Sequence, residues 1–494
     1  MSSKFNILFV ASEVAPFAKT GGLADVANSL PKALKNLRHD VRIFMPRYRR
    51  IRERKFVLRE VIRLQDITLT VGGKEISFDI KSAFLPKSKI QVYFLDYKPY
   101  FDRDGLYVDP ETGKDYPDND ERFILFSKAA IEILKVLHWQ ADVIHCNDWQ
   151  SALIPAYIKT VYANDPFFKK MHTLLTIHNI GYQGNFPRES FLKTGLPEDL
   201  FYPEGPVEFY GNFSFLKSGI YYADKINTVS PTYAREIQQS SDYGFGMEGL
   251  LRNRSKDVHG ILNGVDYSDW DPSVDTNIAV NYDIKTLSLK VENKKALLNE
   301  LKLPFDENIP LIGMVSRLAD QKGFDILTNA LDELMKLDLE YVLLGTGDPQ
   351  YHELFKAFQK KYPQKMNAQL KFDNRLAHLI EAGSDMFLMP SKYEPCGLNQ
   401  MYSLRYGTIP IVRKTGGLAD TVVNFNPEIH SGTGFVFEEY SSEALIDAVK
   451  RAIEIFHNKK MWIQLQKQAM KQDFSWDASA KEYLKLYAQV RGGK

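Results

Sequence analysis

The heptapeptide KTGGLAD occurs twice in this chain, at Lys19–Asp25 and again at Lys414–Asp420. Each copy follows an apolar run, Ile7 to Val10 or Ile409 to Val412, and each leads into a helical pattern. Strand, glycine turn and helix together aim backbone N–H groups and a helix N-terminus at an anion. Paired glycines let the anion approach the backbone closely, and the lysine adds a mobile positive charge. Taken singly, either Gly-Gly reads equally well as a tight strand-to-helix turn. Recurrence of seven identical residues in the two halves favours related lobes presenting similar loops to one ligand.

Other polar residues stand where apolar runs end. In the first half these are His145, Asp148, His178, Asn179, Ser230 and Asn263. In open α/β sheets, ligands sit beyond the carboxyl ends of the strands. In the second half Arg317 and Lys322 lie in RLADQKG, where two cations suit a diphosphate as well as a solvated loop. Glu394 follows DMFLMPS and precedes Pro395, Cys396, Gly397 and a helix. A carboxylate there can hold a sugar hydroxyl while the Gly397 and Leu398 amides face phosphate. Phosphate loops in both halves and one carboxylate fit a nucleotide sugar better than a dinucleotide. No GxGxxG follows a strand, and no GxxxxGK[ST] is present. His145, Cys146 and Asp148 are metal-ligand types, but neighbours on an extended segment point to opposite sides, so no metal is expected there.

The elements that carry these residues alternate. NILFVAS predicts a buried strand, Ala15 to Gly22 a long loop, LADVANSLPKALKNLRH a helix and VRIFMP a second strand, which makes a βαβ unit. Between about residues 60 and 97, strict alternation broken at Gly72-Gly73 predicts antiparallel hairpins inserted at the sheet edge. PYFDRDGLYVDPETGKDYPDND is a long loop whose interleaved tyrosines and aspartates suit sugar recognition; a disordered surface loop is the alternative. Strand and helix patterns then resume from ERFILFSKAAIEILKVL to HGILNGVD, with Ser230 as N-cap and Pro231 opening a helix. Residues 264–283 are polar, contain Pro272, lack helical period and read as a hinge-like linker. A second alternating set runs from PLIGMVS to GFVFEE, and helices close the chain. Two doubly wound α/β domains with a cleft between them are predicted.

At 494 residues the chain is too long for one ordinary core. A composition of 44% apolar and 25% charged residues with net charge +1 is that of a soluble globular protein and gives no sign of a nucleic-acid partner. The basic RYRRIRERK segment reads as solvated surface. Two cysteines far apart fit a reducing compartment, and no signal peptide or membrane-spanning run is visible, so a cytoplasmic protein is expected.

KTGGLADV, TIHNIGYQG, VSPTYARE, LNGVD, SRLxxQKG and EPCGLNQ, in this order over nearly the whole chain, resemble bacterial glycogen synthases and plant starch synthases. The start at KFNILFV, with no transit-like segment, favours the bacterial branch. The resemblance implies a GT-B fold: two doubly wound Rossmann-like domains with a deep interdomain cleft. Residues 1–260 would form the acceptor-side domain, completed by a C-terminal helix at 475–494, and residues 261–474 the nucleotide-sugar domain. It implies transfer of glucose from ADP-glucose to the non-reducing end of an α-1,4-glucan (glycogen or a maltooligosaccharide), with retention and with no metal or other cofactor. Neither nucleic acid nor membrane would be a partner. Carried over by residue, His178, Arg317, Lys322 and Glu394 would be catalytic: His178 contacts the transferred glucose, the two cations neutralise the leaving ADP, and Glu394 holds glucose hydroxyls. Lys19, helped by the Gly21 and Gly22 backbone, would bind the diphosphate, and Asn263 and Tyr107 would line the sugar site. Asp25, Asp148, Cys396, Gly397, Leu398, Thr415 and Gly416 complete the substrate-binding set. Phe372 falls where some members stack a tyrosine on the base, and Tyr402 stands where related GT-B families often carry a second glutamate. A retaining GT-B transferase using UDP- or GDP-sugar, and a catalytically silent glucan-binding protein, are the alternatives; intact Lys19, Arg317, Lys322 and Glu394 speak against the second.

Overall fold

The computed structural model describes residues 4–492. The chain divides into two compact units. One runs to Val229, resumes over Ala234–Gly264 and takes the chain from Trp476 onward; the other comprises Ser230–Tyr233 and Val265–Ser475.

Seven parallel strands form the centre of the first unit: β1 (Asn6–Val10), β2 (Asp40–Pro46), β3 (Gln91–Asp96), β4 (Val143–Asn147), β5 (His172–Ile177), β6 (Lys225–Thr228) and β7 (Val258–Gly260). Their order across the sheet is β7-β6-β5-β4-β1-β2-β3. Strands covered by helices on both faces must be apolar throughout, which is why NILFV reads as a continuous run. The winding reverses between β1 and β4, so the loops leaving those two strands part and open a crevice at their carboxyl ends.

Beyond β3 the sheet continues antiparallel. Lys74–Phe84 pairs with β3, and Ile67–Val71 and Arg59–Glu60 pair with Lys74–Phe84. The hairpin at Gly72-Gly73 forms as expected, both glycines having positive φ (58° and 74°). Gln91–Asp96, in contrast, is a parallel neighbour of β2 and not part of an edge insertion. Its four central residues are all buried, whereas Lys74–Phe84 alternates along most of its length.

Helix Trp476–Val490 packs in this same unit. Tyr487 Oη lies 2.8 Å from His145 Nδ1, and Tyr483 Oη accepts from Asn227 Nδ2 at 3.1 Å. His145 Nε2 lies 2.7 Å from Thr176 Oγ1, and burial holds the imidazole well below its usual range. His145 thus ties sheet to helix as a neutral ring. Among the described residues no group of three or more His, Cys, Asp or Glu is arranged to hold a metal ion.

In the second unit, β8 (Leu311–Val315), β9 (Glu340–Leu344), β10 (Met366–Gln369), β11 (Met386–Met389), β12 (Ile409–Arg413) and β13 (Phe435–Phe437) form a parallel sheet in the order β10-β9-β8-β11-β12-β13. This is the same doubly wound order, and here the reversal falls between β8 and β11. The segment expected to be a hinge is instead packed into this unit. Asp271 accepts from the Arg405 guanidinium, and buried Asp275 accepts from His378 Nδ1 at 2.8 Å and Tyr406 Oη at 2.5 Å. The Tyr282 hydroxyl donates to the Tyr406 carbonyl at 2.7 Å. The Trp270 ring is stacked between His378 and Tyr402, with centroids 3.7 and 4.0 Å away. Asp271 and Asp275 serve buried pairs, while Ser268, Asp269, Ser273 and Asp283 face solvent.

Candidate active site

In the first unit the candidate residues follow β1, β4, β5 and β7, and the first two of those strand ends flank the point where the winding reverses. Glu13, three residues past β1, is buried, and its carboxylate folds back over the following loop. Oε2 accepts the Thr20 amide in a short hydrogen bond and the Gly21 amide at 3.2 Å, while Oε1 accepts the Thr20 hydroxyl at 2.7 Å. This fixes the Lys19–Gly22 turn. Helix Gly22–Asn36 begins there without any side-chain cap, so its first amides have no acceptor within the helix. A Cβ at Gly21 or Gly22 would meet nothing within 4 Å, which leaves this helix start open to an anion. Lys19 is exposed, with Nζ 2.7 Å from Asp25 Oδ1. The Gly21 amide does not join the set: it is already given to Glu13, and the free donors begin at Gly22.

Tyr107 donates its hydroxyl to Glu13 Oε1 at 3.1 Å and lies 2.7 Å from Ser12 Oγ. Burial, then the nearby Glu13 charge, pushes the phenol far above its usual range, so it stays protonated. The loop that carries it is ordered: buried Arg122 donates to the carbonyls of Tyr100 and Leu106 and to Asn119 Oδ1.

Asp148 follows β4 with φ at +55° and accepts the His178 amide at 2.7 Å. Burial pushes its carboxyl up to about 7, against the lowering effect of the His178 and Asn179 amides. His178 Nε2 lies 2.9 Å from Asn147 Oδ1. The Asn147 amide is oriented by its Nδ2, which donates to the carbonyls of Val10 and His145. Nε2 must therefore be the donor. Burial lowers the imidazole to about 3, so the ring is neutral and keeps its lone pair on Nδ1. Asn263 is buried, and its Oδ1 has no hydrogen-bond partner, so this acceptor awaits a donor such as a sugar hydroxyl.

The second unit places its candidates after β8, β10, β11 and β12. Arg317 is exposed, and its guanidinium makes no ion pair or hydrogen bond among the described residues. Lys322 closes a short 3-10 turn, Asp320–Lys322. The next residue, Gly323, has φ +77°, and a Cβ there would fall 2.0 Å from the Pro390 carbonyl oxygen. Only glycine lets this turn pack against the end of β11. Lys322 Nζ then reaches Glu394 Oε2 at 2.6 Å, and the same oxygen accepts from Ser391 Oγ at 3.1 Å. Glu394 is buried, and its Oε1 takes no hydrogen bond among the described residues. Gln321 ties the two loops together, accepting the Lys392 amide at 2.9 Å and donating to the Tyr393 carbonyl at 3.3 Å. Helix Asn399–Tyr406 starts past Gly397 (φ +70°) with no side-chain cap at Leu398, and Asn399 Nδ2 anchors it to the Val315 carbonyl at 2.6 Å. An open carboxylate oxygen, an ammonium, an unpaired guanidinium and a helix N-terminus thus line the ends of β8 and β11. Together they can bind an anionic leaving group and a hydroxylated ring.

The second KTGGLAD copy sits behind these groups. A Cβ on Gly416 would fall 1.9 Å from the Glu394 carbonyl oxygen, and one on Gly417 2.0 Å from that of Cys396. Thr415 and Cys396 are buried. Thr415 and Gly416 therefore back the Glu394 loop and do not present a second anion turn, which corrects the expectation of two equivalent loops. Phe372 is 86% exposed. Tyr402 is held in the stack with Trp270 and so supplies no second acid.

Residues 6–253 match the family model described as the starch synthase catalytic domain, and residues 299–469 match glycosyl transferases group 1. Glycogen synthase of Thermosipho africanus is 49% identical over 486 residues, which is 97% of this chain and 98% of that protein. Glycogen synthase of Fervidobacterium nodosum is 48% identical over 490 residues, 98% of this chain and 99% of its own. The chain belongs to the glycogen synthase family. The solved catalytic domain of starch synthase IV from Arabidopsis thaliana, bound to ADP and acarbose, matches with TM-score 0.89 at 32% identity, covering 99% of this chain and all of that one. The architecture is accordingly the two-domain GT-B fold of a glycosyltransferase.

Within this glycogen synthase framework, sequence reasoning located the strand-end residues but passed over Glu13, Asn147, Gln321 and Ser391. Glu13 carried a readable signal, being the one charged residue in the otherwise apolar stretch from Ile7 to Ala18 apart from neutral Ser12. A charge buried in such a stretch needs partners. Asn147 and Gln321 carried none, because their partners lie far away in sequence or on the backbone, and Ser391, three residues before Glu394, reads as an ordinary loop serine.

Proposed function

We propose that the protein transfers glucose from ADP-glucose to the non-reducing end of an α-1,4-glucan, with retention of configuration, in the cytoplasm and without a metal or other cofactor. The observation that carries this reading is the Glu394–Lys322 pair and the uncapped helix start at Gly397–Asn399, with Arg317, two residues past β8, unpaired among the described residues. As the glycosidic bond breaks, negative charge grows on the diphosphate. Arg317, Lys322 and the helix amides stabilise it, and in the first unit Lys19 with the Gly22 helix start is assigned to a nucleotide diphosphate. Lys322 has donors to spare, so it can hold Glu394 and a phosphate oxygen together. Glu394 Oε1 accepts a glucose hydroxyl; in the first unit Asn263 Oδ1 and the Nδ1 lone pair of neutral His178 are further acceptors for sugar hydroxyls. Retention follows if the acceptor hydroxyl enters on the face the phosphate leaves, with the phosphate taking its proton. The solved starch synthase IV, whose structure holds ADP and acarbose, supports a nucleotide and glucan pair. The exposed Phe372 ring offers a stacking face for a base. Two buried, unbridged cysteines agree with a reducing compartment.

Incubation with glycogen and either ADP-glucose or UDP-glucose, in the presence of EDTA, tests the proposal. It predicts release of ADP and growth of the glucan from ADP-glucose with EDTA present. A preference for UDP- or GDP-sugar with a small acceptor, or a requirement for added divalent ion, would overturn it.

A further inference from the structure

The Lys19–Gly22 turn and the loop carrying Tyr107 end on one carboxylate. Glu13 Oε1 accepts the hydroxyls of both Thr20 (2.7 Å) and Tyr107 (3.1 Å), and Oε2 accepts the amides of Thr20 and Gly21. Tyr107 is also held at its other end. Its carbonyl accepts from Asn119 Nδ2 and from the Tyr116 amide, each at 3.0 Å. Asn119 in turn receives Arg122, a fully buried cation with no carboxylate partner among the described residues, which also holds the carbonyls on either side of the loop. Neither end of this chain of contacts is slack. A displacement of the Tyr107 ring must therefore pass to Thr20 through Glu13, as expected of a buried network whose members act together.

The position of Glu13 is otherwise unfavourable. A carboxylate beside an anion-binding turn repels the anion. What offsets that repulsion is the geometry it imposes: the Thr20 amide and hydroxyl and the Gly21 amide are held by Glu13, which fixes the turn that presents Lys19 and the Gly22 helix start to solvent.

We infer that Glu13 is a positioning residue that couples the Tyr107 loop to the Lys19–Gly22 turn, so that the sugar-side loop sets the affinity of the phosphate-side turn. The inference rests on the assignment of that turn to a nucleotide diphosphate. It gives Tyr107 an effect on nucleotide binding without any contact between Tyr107 and nucleotide.

ADP titrated calorimetrically into the wild type, Tyr107→Phe, Glu13→Gln and the double variant tests it, with an unfolding midpoint for each. Loss of one linking hydrogen bond predicts an ADP dissociation constant raised about fivefold in each single variant. Because both remove the same link, the double variant should be no more than about twofold worse than the weaker single one. Should Glu13→Gln fail to fold, Thr20→Ala takes its place, removing only the hydroxyl contact. ADP affinity within twofold of wild type in Tyr107→Phe, or single effects that multiply in the double variant, overturns the coupling alone. A wild type that binds no ADP overturns the nucleotide assignment and the coupling with it.

Discussion

Seven identical residues serve different ends in the two units. At Lys19–Asp25 the glycines are exposed, and added methyl groups would touch nothing. At Lys414–Asp420 they are buried against the backbone of Glu394 to Cys396. Asp25 pairs with Lys19, whereas Asp420 accepts the amide and hydroxyl of Thr232. The cause lies in the approach. Residues 11–21 separate β1 from the helix at Gly22, long enough for Glu13 to fold back and turn the glycines outward. β12 ends at Arg413, so the second copy leaves the sheet at once and meets the loop that follows neighbouring β11. A motif of this kind is an anion turn only when the loop delivering it leaves its glycines open.

The comparison breaks most visibly under glycine substitution. Gly416→Ala places a methyl group into the Glu394 carbonyl at a positive φ of 44° and should cost about 3 kcal/mol or more in urea unfolding. Gly22→Ala should leave stability unchanged or raise it by up to about 1 kcal/mol. Similar losses at both sites would erase the distinction.

A second contrast concerns what the buried copy supports. If it holds the Glu394 loop in place, then Glu394→Ala should lower kcat about 100-fold, the scale of a lost transition-state contact. Turnover within threefold of wild type would assign the sugar-holding role to another group.

A smaller effect, within the first unit, depends on pH. Asp148 titrates at about 7 when folded and at its ordinary 3.8 when unfolded, so the folded chain keeps a proton that the unfolded chain has released. Through this group, stability falls as pH rises from about 4 to about 7. His178, lowered to about 3 from 6.5, works in the opposite sense, and stability rises with pH from about 3 to about 6.5. The two slopes oppose one another over most of that range. Asp148→Asn removes the first alone, so the variant should gain on the wild type in urea midpoint between about pH 5 and about pH 7. A difference that stays constant with pH would refute the raised value for Asp148.

Both parallel sheets were legible in the sequence because buried parallel strands are apolar runs and the helices between them keep their period. Gln91–Asp96 was misplaced because QVYFLD follows an alternating hairpin, and its own burial on both faces was not weighed. The segment at 264–283 read as a hinge because its polar residues showed no period; their partners, Arg405, His378 and Tyr406, lie on distant helices. The candidate site was legible at strand ends, where polar residues interrupt apolar runs. Which amides remain free was not, because Gly21 is claimed by a carboxylate eight residues earlier and Gly417 by the Glu394 and Pro395 carbonyls on the neighbouring loop.

The most direct test compares the two lysines. Both are exposed and both pair with a carboxylate, Lys19 with Asp25 at 2.7 Å and Lys414 with Glu438 at 2.6 Å. Exposed pairs of this kind contribute about 0–1 kcal/mol to stability, so neither substitution should disturb the fold. ADP affinity and ADP-glucose KM should separate them. Lys19→Gln is predicted to weaken one or both about tenfold, as expected for one charge-assisted hydrogen bond, and Lys414→Gln to leave both within about twofold. Equal losses in the two variants, or a loss confined to Lys414→Gln, would contradict the account.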